Sequence, residues 1–135
     1  MFDRVIEKIM IHVDTLKSGI KASLMILHYA EQRDSDNLEF WTDNRERIIS
    51  VTAQRQKQVE ELLQNLPAEE ATEENLQIIR AWFDDTQNWI ESITMIDEEV
   101  MNVLSSQKEE ITKEIASTYK TKQVFSGYNL KSVTK

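Results

Sequence analysis

There is no cysteine in these 135 residues, and there are only two glycines and one proline. Without cysteine, neither a disulfide framework nor a thiolate metal site can form. So few turn residues exclude a β-rich fold, which needs a break about every ten residues. Two glycines cannot build a Gly-rich phosphate loop either. No uncharged apolar run approaches the ~18 residues of a membrane span. The opening "MFDRVIEKIMIHV" carries Asp3, Glu7 and Lys8 inside its apolar pattern, unlike the apolar stretch of a signal peptide. The expectation is a cytoplasmic protein of one domain, neither exported nor embedded.

Positive charge is short as well. The net charge is −8, and between Pro67 and Val103 ten acids stand against Arg80 alone. The clustered Lys and Arg that neutralise phosphates are missing, so nucleic acid is not an expected partner. From Lys113 onward the balance reverses, with five Lys and one Glu. A cationic end of this kind complements a helix C-terminus.

Reactive groups are sparse. Neither histidine, His12 or His28, has a Glu three residues before it, so the Glu-x-x-His pair of di-iron bundles is absent. His28 as a phosphotransfer histidine would want Lys and Gly just after it, and "LHYAEQR" has neither. Asp84–Asp85 and Asp97–Glu98–Glu99 read as a solvated helix face, because nothing in the sequence buries them or shifts their pKa. No catalytic site, cofactor or metal is expected.

Helical periodicity is what the chain does have. Phe2, Val5, Ile6, Ile9, Met10, Val13, Leu16, Ile20, Leu24 and Leu27 recur at spacings of mostly three and four. They predict a helix over about 2–33, with Gly19 inside it marking either a close crossing or a tolerated residue. "RDSDNLEF" breaks the pattern, and Asp36 with Glu39 has the spacing of a capping box. The second helix is expected over about 36–64. Its middle, "TAQRQKQ", is polar almost all round, so it is either weakly packed or faces polar groups of a neighbour. Pro67 closes this helix, and Thr72 is a good N-cap for a third over about 72–123.

In the third helix Leu76, Phe83, Ile90, Leu104 and Ile111 repeat every seven residues, with Asp97 the exception. Companion stripes (Ile79, Ile93, Val100 and Trp82, Trp89, Ile96, Val103) widen the face, which suits a multi-helix bundle more than a two-stranded coiled coil. The tryptophans read as packing residues. The fold expected is all-α: an antiparallel bundle of three helices within a domain of residues 1–123, followed by a tail of residues 124–135. At 1.5 Å per residue the first two helices span about 45 Å and the third about 75 Å. The third should overhang by roughly 20 residues. Its thin apolar stripe, Ile111, Ile115 and Tyr119, leads into "QVFSGYNLKSVTK" with Val124, Phe125 and Tyr128. Such a stripe wants a cover: the chain's own tail, a second copy in a homodimer, or another protein.

The second helix opens "DSDNLEFWTDNRERII", with Arg45 and Arg47 before Ile48–Ile49, and the long third helix leads through "YKTKQVFSGYN" to Tyr128. In layout the whole chain resembles the small flagellar type III export chaperones of the FliT/FlgN type. That resemblance implies a cytoplasmic helical protein holding a hook-associated or filament-cap subunit until export. It also implies a client surface along the long C-terminal helix, on Ile111, Ile115, Tyr119, Val124, Phe125 and Tyr128, with Leu104 at its base. A client's amphipathic terminal helix would lie along this stripe. The alternative is a structural or regulatory protein whose copies pair through the same helix.

Overall fold

The computed structural model describes the backbone of residues 1–129 and the side chains of residues 1–118. Helix α1 spans Phe2–Glu31, α2 spans Ser35–Gln64 and α3 spans Glu73–Asn129. A single 3-10 turn, Ala68–Glu70, lies between α2 and α3, and no strand occurs among the described residues. The all-α, three-helix fold follows from a 3.6-residue pattern broken only at "RDSDNLEF" and around Pro67. The long third helix is one continuous element of 57 residues against 30 for each of the others. It includes Gly127, a residue that weakens a helix by about 1 kcal/mol without ending it.

The turn after α1 departs from expectation in its chemistry. Arg33 takes a left-handed conformation (φ 56°), which lets the chain reverse. Asp34 then sits in extended geometry and caps α2, accepting from the Asn37 backbone N–H at 3.2 Å and from the Asn37 side-chain amide at 2.7 Å. The cap is therefore Asp34 rather than Asp36, which falls inside the first turn. Thr72 does cap α3, its hydroxyl accepting from the Asn75 N–H at 3.2 Å. Glu70 of the 3-10 turn accepts from the Phe2 N–H at 2.9 Å, satisfying one of the four N–H groups left open at the start of α1.

The contacts divide the chain at Val100 into one compact unit of residues 1–100 and a second that begins at Met101. Within the first unit the side chains fix the helix directions. His12 meets Trp82 and Leu16 meets Trp89, so α1 and this part of α3 run parallel. Arg55 reaches Ile11 and Thr15, and Arg45 reaches Asp97, so α2 runs against both. Phe2, Val5, Ile9, Val59 and Trp82 form the centre of the core. Each such side chain contributes about 1.5–3 kcal/mol by leaving water.

Two features of the helix interfaces answer questions the sequence raises. Gly19 is buried because the Trp89 indole lies over it: a Cβ there would stand 3.1 Å from Cζ2 and 3.3 Å from Nε1 of that ring. The polar middle of α2 faces polar groups of α1. The Arg55 guanidinium donates to the Ile11 carbonyl at 3.1 Å and to the Thr15 hydroxyl, while Thr52 is buried with its hydroxyl returned to the Ile48 carbonyl at 2.7 Å.

Candidate interaction surface

In the second unit, Leu104 is half-buried while Ile111 and Ile115 are 49% and 65% exposed. Spacings of seven and four place the three on one side of α3. Around them Lys108, Glu109, Glu110, Lys113 and Glu114 are all exposed, giving a mixed rim that favours neither charge. The side chains of Tyr119, Val124, Phe125 and Tyr128 lie outside the described residues, as does the structure of residues 130–135. Of the expected surface, then, its base and its first two anchors are described, and they share a face.

The first unit carries its own uncovered apolar side chains. Phe83 is 56% exposed and Ile90 is 45% exposed, although both sit in the seven-residue stripe that reads as core. The reason is angular: Trp82, Ile93 and Val100 are buried and take the centre of the contact, so their neighbours on the stripe are left at its edge. The face of α3 is wider than two partner helices cover.

The chemistry at the centre of this unit was not readable as such. His12 is fully buried, and its Nδ1 accepts from the Trp82 indole N–H at 2.9 Å, with the rings edge-on at 5.6 Å. An indole N–H can only donate, so the neutral imidazole carries its proton on Nε2. That Nε2 is buried and finds no acceptor among the described residues. Burial holds the His12 pKa below the usual histidine value; Arg55 pushes the same way and Glu60 opposes. The available signal was position: His12 continues the line Val5–Ile9–His12–Leu16 on the apolar face of α1.

No group of three His, Cys, Asp or Glu side chains converges as a metal site among the described residues. His28 is exposed on α1, about four turns beyond His12, and stacks edge-on with Tyr29. A shallow groove of about 310 Å³ between the start of α1 and the end of α2 mixes Arg4 and Lys8 with Glu61. No helix among the described residues is long and apolar enough to cross a membrane. Set against protein-family models, curated proteins and solved structures, the chain matches none of them.

Proposed function

We propose that this chain is a protein-binding chaperone of the flagellar export kind. In this reading it holds an amphipathic terminal helix of a hook-associated or filament-cap subunit along the second unit of α3, and keeps it soluble in the cytoplasm until type III secretion. The observation that carries the reading is the pair Ile111 and Ile115, two exposed β-branched side chains one turn apart, with Leu104 on the same face. Covering each isoleucine would contribute about 1.5–3 kcal/mol before ordering costs, which suits reversible holding. The layout resemblance supplies the identity of the client class.

The test is titration calorimetry with the terminal helical segment of such a subunit, using the wild-type chain and an Ile111→Asn/Ile115→Asn variant. Both positions are exposed, so the variant keeps its fold. Client affinity should fall about 100-fold or more, the equivalent of losing two buried isoleucines. Equal affinities would remove this stripe as the client surface. The same stripe could instead be covered by a second copy. Sedimentation of the client-free chain decides: a dimer at micromolar concentration that dissociates in the double variant would favour self-association.

A further inference from the structure

We infer that the first unit carries a second docking surface, a seam between α2 and α3 that takes a basic amphipathic helix of about four turns. Two lines of residues define it. On α2, Arg45 and Ile49 are four apart and share a face. On α3, Phe83, Ile90 and Asp97 are seven apart and share another. The Arg45 guanidinium grips the Asp97 carboxylate with both terminal nitrogens, the second at 2.7 Å, and so brings the two lines together. The antiparallel register set by this pair puts Ile49 within a turn of Ile90. That register is checked further along, where Val59 and Trp82 share the core.

The seam is apolar and uncovered, with Ile49 38%, Phe83 56% and Ile90 45% exposed. From Phe83 to Asp97 the line rises about 21 Å, the length of roughly four helical turns. On the α3 side its rim is of one sign. Asp84, Glu91 and Glu98 each follow the α3 line by one residue, form an outer row, and are all exposed. The α2 side is mixed, with Glu46 and Lys57, eleven residues apart on one face, both exposed. Arg80, the lone cation between Pro67 and Val103, lies 3.6 Å from Glu73. Apolar anchors beside an acidic α3 border select a helix whose apolar ridge is flanked, on the side facing α3, by Lys or Arg, and which completes a fourth side on the three-helix unit. This surface differs from the one on the second unit in both residues and charge, so the two readings stand or fall separately.

The probe is a synthetic helical peptide of about 18 residues with Leu on one face and Lys elsewhere, compared with its Leu/Glu counterpart. Each is titrated into the full chain at physiological ionic strength. The Lys peptide should bind and the Glu peptide should not. Affinity for the Lys peptide should fall about tenfold or more in Phe83→Asn/Ile90→Asn, and again in Asp84→Lys/Glu91→Lys/Glu98→Lys. It should be unchanged in Leu24→Asn, an exposed apolar site on α1, and in Ile111→Asn/Ile115→Asn. Amide shifts in a labelled chain should cluster at Ile49, Phe83 and Ile90. Absence of binding, equal binding of both peptides, unchanged affinity in the Phe83/Ile90 variant, or shifts centred on Ile111 would each overturn the inference.

Discussion

His12 sits at a core position and behaves as a hydrogen-bond acceptor there, because the partner it meets is a tryptophan N–H. A protonated imidazole would be a donor at both nitrogens, so protonation breaks the bond to Trp82 and adds a cation near Arg55. The sign of the pH effect follows. The folded-state pKa is depressed, so below about pH 6.5 the unfolded chain takes up a proton that the folded chain refuses. The stability from neutral His12 is fully present above that pH and is lost as pH falls toward the lower folded value. Urea unfolding midpoints of the wild type should drop on acidification over this window. His12→Gln, which keeps an acceptor for Trp82, should lose that part of the dependence. Identical pH profiles for the two proteins would refute the assignment. A sequence cannot display this pair, because its members are 70 residues apart and each looks like an ordinary helical residue.

At the scale of the helix, what could be read in advance and what could not separate along one physical line. Spacing of apolar residues depends only on the chain itself, so the extents of α1 and α2 were legible to within about two residues. Interfaces depend on what arrives from elsewhere. The polar run in α2 acquires its meaning from Thr15 and the Ile11 carbonyl, and Gly19 from the indole of Trp89. That indole is fixed by donation to the Leu16 carbonyl at 2.8 Å, so it cannot easily retreat. Gly19→Val should therefore destabilise the fold by about 1–3 kcal/mol, the usual cost of overpacking, even though glycine is the poorer helix former. Thermal unfolding combined with Trp89 fluorescence checks this. A midpoint at or above that of the wild type would show that the contact is slack.

At the scale of the whole molecule, the buried hydrophobic side chains among the described residues all lie at or before Val100, and none from Met101 to Thr118 is buried. A chain ending at residue 104, which leaves one turn as protection against fraying, should unfold cooperatively within about 5 °C of the full-length midpoint, a difference of about 1 kcal/mol. Circular dichroism melts measure this, and loss of the cooperative transition would contradict it. The candidate surface was half legible at this scale. Ile111 and Ile115 follow from helical spacing alone, whereas Phe83 and Ile90 look like core in a linear pattern because a pattern does not count how many neighbours come to cover it. Asp97, the one charged member of that heptad line, carries a last consequence. A seven-residue repeat is a ruler with identical marks, and a helix bearing one can slide by two turns and find the same contacts again. By clasping Arg45, Asp97 makes one graduation unlike the rest, so that only one alignment of α3 against α2 closes without stranding a charge.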